Sequence, residues 1–159
     1  MLPLVIAPNP ILKRAADDII LPISSEVIAL AHEMFKAMVH YQGIGLAAPQ
    51  VNKSIKLIVV ATPNLPTAYI NPQIIKSSWR QVSLEEGCLS LPGVYGIVKR
   101  PQWVMARYVT IDGFVKEEKL DGMIARIYQH EVDHVNGILF IDRKPKIIAG
   151  EELLSNYVG

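Results

Sequence analysis

The segment His130-Glu131-Val132-Asp133-His134 contains the residues whose types and spacing are best suited to chemistry. On a helix, residues four apart lie on one face, so both imidazoles can reach a single metal ion. Glu131 follows His130 directly, so it lies near that ion without having to ligate it. It can then act as the base for a water that the ion activates. The pattern predicts a metal-dependent hydrolase, and a solvated histidine pair on an ordinary helix is the alternative.

A hydrolytic metal site needs a third protein ligand, and two parts of the sequence offer one. Zinc proteases with H-E-x-x-H take a Glu or His downstream, where only Glu151 and Glu152 remain. Upstream lies Cys88, the only cysteine of the chain. A thiolate is a good ligand for a borderline-soft divalent ion. A small buried hydrophobic role is the alternative for Cys88.

The segment Gly43-Ile44-Gly45-Leu46-Ala47-Ala48-Pro49-Gln50 is the third candidate. Its two glycines permit a close approach of the backbone to a ligand. Gln50 is neutral, so its amide can donate to an oxygen without competing for the metal. A plain turn after a helix is the alternative interpretation.

The elements that position these residues follow from hydrophobic periodicity and from capping and turn residues. Two helices are predicted: one that Ser24 or Ser25 caps and Gly43 ends, and one over about Gly122–Val135 that Asp121 caps. A buried strand is predicted over Ile55–Ala61, and a short strand over 68–75 that Pro72 interrupts. A hairpin is predicted around Asp112-Gly113, with strands over Trp103–Ile111 and Phe114–Leu120. Strands thus precede one central helix, and another helix lies near the N-terminus. This order favours an α+β fold over a doubly wound parallel sheet.

Composition narrows the class of protein. With 159 residues, we expect a single domain over 1–159, and with half of the residues apolar its core can be substantial. The formal net charge of +1 favours neither nucleic acid nor an anionic membrane as the main partner. No apolar run is long enough to span a bilayer, and the prolines at 3, 8 and 10 do not fit a signal peptide. A lone thiol without an export signal suggests a reducing, cytoplasmic location.

Three motifs, taken together, resemble the peptide deformylase family. They are GIGLAAPQ (43–50), EGCLS (86–90) and QHEVDH (129–134), and their order and spacing fit from about Ile6 to Asp142. The resemblance implies an α+β fold, with antiparallel sheets packed around a central metal-binding helix that carries HExxH, and with an N-terminal helix. It also implies hydrolysis of the N-formyl group on the N-terminal methionine of new polypeptides, with release of formate.

The resemblance assigns roles to residues of this chain. One divalent ion, Fe²⁺ in the cell and Zn²⁺, Ni²⁺ or Co²⁺ in purified protein, is expected on Cys88, His130 and His134. Glu131 is the expected general base and acid. Gln50 and the backbone N–H of Leu89 are expected to stabilise the oxyanion.

The same resemblance indicates the substrate contacts. Gly43, Ile44, Gly45 and Leu89 are expected to contact the peptide backbone. The residues expected to line the methionine pocket are Ile44, Leu84, Met123, Ile127 and His130. Glu86 and Arg100 correspond to an ion pair near the site, and Tyr95 stands where some members have Arg.

The expected partners are N-formyl-methionyl nascent peptides, with transient contact to the ribosome and with no membrane or specific nucleic acid. Pro145 and Gly150 interrupt the segment after Asp142, where some members carry a long helix that contacts the ribosome. Two other functions fit parts of the pattern: a deformylase-like protein that binds peptides or ribosomes without catalysis, and an HExxH zinc metalloprotease.

Overall fold

Two antiparallel sheets and a buried helix form the centre of the computed structural model, which describes residues 1–159. The helices are α1 (Ser25–His40), α2 (Gly122–Val135) and α3 (Leu154–Tyr157). The strands are β1 (Gly45–Ala47), β2 (Leu57–Val60), β3 (Thr67–Ser77), β4 (Gln81–Gly87), β5 (Tyr95–Pro101), β6 (Trp103–Val109), β7 (Val115–Asp121) and β8 (Lys146–Ala149).

The strands form a five-stranded sheet in the order β1-β2-β3-β6-β7 and a three-stranded sheet in the order β4-β5-β8. Every neighbouring pair is antiparallel. The prediction of an α+β fold with antiparallel sheets is therefore confirmed. β1 and β4 each end a sheet, so each has one edge whose backbone groups pair with no other strand.

Helix α2 lies at the predicted residues and is unusually buried. The Asp121 carboxylate accepts the Gly122 N–H at 2.6 Å, and the chain leaves the helix through Asn136 and Gly137, whose φ of +76° suits glycine. Every residue from Ala125 to Val135 is buried. Because six of these side chains are polar or charged, the interior around α2 must supply partners for them.

Helix α1 also follows its predicted pattern. Ser24 caps it by accepting the Val27 N–H at 3.4 Å. Ala31, Met34 and Met38 recur at helical spacing and are fully buried against the five-stranded sheet. No helix of the protein combines the length and the apolar character that crossing a bilayer needs.

Strand β3 is longer than predicted, because Pro72 does not interrupt it. The register of β3 against β6 shifts between Ile70 and Gln73, so the proline, which has no N–H to donate, sits at an irregularity of the ladder. Asn71 adopts φ of +50° at this point, and its side chain pairs with both backbone groups of Ile19, at 2.7 Å and 2.9 Å.

The predicted two-residue hairpin turn is also wrong in its length. Val109 pairs with Val115, so the connection between β6 and β7 covers five residues. The Thr110 N–H donates to the Phe114 carbonyl at 2.8 Å, and Gly113 adopts φ of +91°. The turn is thus built around Asp112-Gly113, but in a longer form of hairpin in which glycine takes the left-handed position.

We expect Asn71→Ala to lower the free energy of unfolding by about 1–3 kcal/mol, because it leaves two backbone groups of Ile19 without partners. Urea unfolding measures this. The control is Asn71→Asp, which keeps an acceptor for the Ile19 N–H and should lose less. An unchanged midpoint for Asn71→Ala would contradict the role of this contact.

Candidate active site

Cys88 comes together with His130 and His134, although it lies far from both in the sequence. Cys88 follows the last residue of β4, and α2 presents the two histidines one turn apart. One ligand atom of each lies within 4.8 Å of the other two, and Cys88 Sγ is 3.3 Å from His134 Nε2. No other group of His, Cys, Asp and Glu in the protein is arranged in this way. Glu151 and Glu152, the third ligands that a protease would need, are exposed in a separate helical turn.

The orientation of His130 is fixed by Glu86. The His130 Nδ1–H donates to Glu86 Oε1 at 2.7 Å, which leaves Nε2 for a metal ion. Arg100 binds both oxygens of the same carboxylate, with Nε donating to Oε2 at 2.6 Å and Nη2 donating to Oε1 at 2.9 Å. Burial opposes the charge on Glu86, but the hydrogen bonds from His130 and Arg100 hold its pKa well below the ordinary value. Glu86 is therefore an anion at neutral pH.

The sequence analysis gave no role to three charged residues of this network. Asp133 accepts from Arg100 at 2.8 Å and from Arg143 at 2.5 Å and 3.0 Å. Arg126 donates to Glu86 Oε2 at 2.7 Å. The spacing of Arg126 and His130, four residues apart on α2, was the signal that both side chains lie on one face.

The Glu131 carboxyl group lies next to the ligand cluster and is buried. Its Oε2 atom has no hydrogen-bond partner in the protein. Burial raises the pKa of Glu131 to about 7, and the charge of His130 limits that rise. A buried carboxyl oxygen without a partner is rare, and here it indicates a group that is available to a ligand or a water.

The two histidines differ in their electrostatics. Burial, together with the charges of His130 and Arg100, lowers the pKa of His134 well below its ordinary value, so its imidazole is neutral, as a metal ligand must be. Burial also opposes a charge on His130, but hydrogen bonds to Cys88 and Glu86 and the charge of Glu131 raise its pKa to about 10. The acidic groups around His130 thus stabilise positive charge at this position, which a metal ion on Nε2 would supply in place of the ring proton.

Gln50 faces the thiol with its donor end. Its Oε1 accepts the Ala47 N–H at 2.9 Å, which fixes the direction of the amide. Its Nε2 donates to Ser90 Oγ at 3.2 Å and to Cys88 Sγ at 3.6 Å. The backbone N–H of Leu89, the other expected oxyanion donor, donates to no backbone carbonyl.

A cleft of about 630 Å³ opens over this cluster. Most of the residues expected to contact substrate line it: Gly43, Ile44, Gly45, Leu89, Met123, Ile127 and His130. Ile44 and Met123 are more than half exposed, although both are large and apolar. Leu84 lies on β4 two residues before Glu86, which lines the cleft, so both side chains are on one face of the strand; its place in the methionine pocket stays a prediction. Tyr95 and Arg126 also line the cleft.

Comparison with known proteins adds a second kind of observation. Residues 1–148 match the model of the family described as polypeptide deformylase. The chain belongs to the polypeptide deformylase family. A peptide deformylase of Rhodopseudomonas palustris (strain BisB18) is 45% identical over 132 residues, which are 79% of this chain and 75% of the relative.

Solved structures of other peptide deformylases resemble this one closely. That from Thermotoga maritima has a TM-score of 0.87 at 36% identity, covering 90% of this chain and 97% of its own. A class I type b peptide deformylase from Acinetobacter baumannii, bound to Met-Ala-Ser, has a TM-score of 0.85 at 38% identity, covering 89% and 97%. The prediction of a deformylase enzyme, rather than a protease or a non-catalytic binding protein, is confirmed.

Gly45 cannot carry a side chain without disturbing the site. A Cβ atom there would lie 2.5 Å from Glu131 Oε1 and 2.7 Å from a methyl carbon of Ile127. We expect Gly45→Ala to lower kcat/KM by roughly 10²-fold, because it displaces the carboxylate from its place beside the ligand cluster. Steady-state kinetics on a formylated dipeptide measures this.

Gly113→Ala is the matched control for Gly45→Ala. Nothing lies within 4 Å of a Cβ at Gly113, but its φ of +91° is strained for alanine. This variant should lose stability and keep its kcat/KM. Equal activity of Gly45→Ala and wild type would show that Glu131 need not stay in place.

Proposed function

We propose that this protein hydrolyses the N-formyl group of the N-terminal methionine of newly made polypeptides, releasing formate and a free amino terminus. One observation carries the proposal: three metal-ligating atoms meet beside a buried carboxyl oxygen that has no partner, at the base of a cleft. A base next to a metal position is the arrangement that hydrolysis of an amide needs.

Cys88, His130 and His134 would hold the metal ion. The donor set fits a divalent transition metal, because it combines a thiolate with two imidazoles. The bond of His130 Nδ1 to Glu86 leaves the opposite nitrogen for the ion, and Cys88 lies 3.3 Å from His134 Nε2. When bound, the cation supplies positive charge that acidifies a water and polarises a carbonyl oxygen. We propose Fe²⁺ as the cellular ion, as the resemblance implies.

Glu131 is the proposed general base and acid. Its free Oε2 can accept a proton from the attacking water and return that proton to the leaving amine. The carboxylate must be ionised for the first of these steps. A cation held nearby stabilises the ionised form, so the working pKa of Glu131 lies below the value of about 7 that burial gives it.

Gln50 and Leu89 are the proposed donors to the carbonyl oxygen on which negative charge develops. The amide of Gln50 is held by Ala47 and Ser90, so it need not reorganise during the reaction. Donors that are fixed in advance stabilise a transition state more than mobile ones.

The peptide would bind in extended form along the cleft. Gly45 of β1 and Glu86 and Gly87 of β4 line it, and both strands have an unpaired edge. An added strand would satisfy those backbone groups. Ile44, Met123 and Ile127 offer an apolar surface for an unbranched, polarisable side chain such as methionine.

Replacement of Glu131 tests the mechanism. We expect Glu131→Gln to retain the metal ion and to lose roughly 10²–10⁴-fold in kcat, the usual effect of removing a general base. Metal analysis and formate release measure the two properties. In the wild type, kcat/KM should fall as the pH drops through a value below about 7, where Glu131 becomes protonated. Near-normal turnover by a metal-loaded Glu131→Gln would refute the role.

Substrate comparison tests the specificity. We expect formyl-Met-Ala to be hydrolysed far faster than acetyl-Met-Ala, because the methyl group must fit among Gly45, Gln50 and Leu89. Formyl-Ala-Ala should also be slower, since each missing methylene in the pocket costs roughly 1–3 kcal/mol of discrimination. The measurement is kcat/KM under air-free conditions. Equal rates on formyl and acetyl peptides would overturn the proposal, and cleavage of internal peptide bonds would indicate a protease.

Formylated nascent chains are the partner that this reaction requires. Contact with the ribosome and a cytoplasmic location stay predictions from the sequence.

A further inference from the structure

Arg126 is a buried cation on the wall of the cleft that the proposed mechanism does not use. Its exposed fraction is 5%, and it lies one turn before His130 on α2. Nη1 donates to Glu86 Oε2 at 2.7 Å and to the Val98 carbonyl at 2.9 Å, and Nη2 donates to the Val82 carbonyl at 2.6 Å. The guanidinium is therefore held by backbone carbonyls of β4 and β5, and it also donates one N–H to Glu86.

With Arg126 in place, the Glu86 carboxylate has no free acceptor site. Oε1 accepts from His130 at 2.7 Å and from Arg100 at 2.9 Å. Oε2 accepts from Arg100 at 2.6 Å and from Arg126 at 2.7 Å. A carboxylate offers about four lone-pair sites, so this one is fully occupied and cannot turn without losing a charged bond.

Arg100 serves two carboxylates, whereas Arg126 serves one. Arg100 Nη1 donates to Asp133 at 2.8 Å, and Asp133 also binds Arg143. Glu86 is the only carboxylate that Arg126 contacts. Without Arg126, the bidentate contact of Arg100 and the bond of His130 would remain, but Oε2 would have an open acceptor site and the buried carboxylate one cation fewer. The position of Glu86, and with it that of the imidazole that it holds, would then be less tightly fixed.

We propose that Arg126 is a positioning residue for the metal ligand His130, acting through Glu86. This inference rests on the proposed function, because it takes His130 as a ligand. Partners beyond the ligands set the direction of a metal-bound imidazole, and their loss typically weakens metal binding.

The experiment compares Zn²⁺ affinity, measured by competition with a chelator, with Tm and with kcat and KM for formyl-Met-Ala. Arg126→Met should bind Zn²⁺ roughly 10–100-fold more weakly, and kcat should fall at a nearly unchanged KM. Arg126→Lys keeps a cation for Glu86 but cannot reproduce the planar fork toward both carbonyls. Its Tm should fall, while its Zn²⁺ affinity stays within about threefold of wild type.

Tyr128→Phe is the matched control. Tyr128 is fully buried on α2, and its hydroxyl ties the helix to β3 through the Gln73 carbonyl at 2.8 Å without touching Glu86. It should lower Tm and leave the Zn²⁺ affinity unchanged. If Arg126→Met does not fold, Arg126→Gln takes its place, because its neutral amide can still donate to a backbone carbonyl but supplies no cation for Glu86; it should show the same loss of Zn²⁺ affinity.

Four results would overturn the inference. Zn²⁺ affinity that tracks Tm across all variants would make Arg126 a purely structural tie. A rise in KM with unchanged affinity would make Arg126 a wall of the substrate pocket instead. If the wild-type chain binds no Zn²⁺, both the metal site and this inference are overturned. If wild type and Arg126→Met bind Zn²⁺ equally tightly, only this inference is overturned.

Discussion

Glu86 is a carboxylate almost entirely removed from water, and an ion in that position persists only if other charges and donors replace its hydration. His130 and Arg126 of α2 and Arg100 of β5 do so. The same contacts join α2 to β4 and β5, so the electrostatic requirement of one buried group determines how the helix meets the smaller sheet. The geometry of the ligand cluster therefore depends on how α2 packs against β4 and β5.

Two polar atoms next to this network lack hydrogen-bond partners. Glu131 Oε2 and His134 Nδ1 are buried and have no partner within the protein. Leaving such atoms unpaired costs stability, and the fully paired network around Glu86 offsets part of that cost. The protein thus combines a rigid support with a reactive group that keeps a free acceptor. Rigid support beneath an incompletely satisfied group is what catalysis by preorganised charge requires.

Local patterns in the sequence were enough to predict α1, α2 and the histidine pair, because each depends on periodicity, a cap or a motif whose meaning is local. Cys88 was assigned as the third ligand only through the resemblance to a family. β4 could not be predicted in this way, because its residues are mostly polar and exposed, and it becomes a strand by pairing with β5. The role of Arg126 depends on two carbonyls and a carboxylate that lie 28 to 44 residues away.

Under the extended binding proposed above, the two open strand edges along the cleft also determine when a substrate can be processed. A polypeptide can pair with β1 or β4 only while its own backbone N–H and C=O groups are free. Once an N-terminal segment has entered a helix or a sheet of its own, those groups are occupied, and the formyl group can no longer be drawn into the cleft. Deformylation therefore competes in time with folding of the substrate, and a chain whose amino terminus folds early offers the enzyme a shorter interval in which to act.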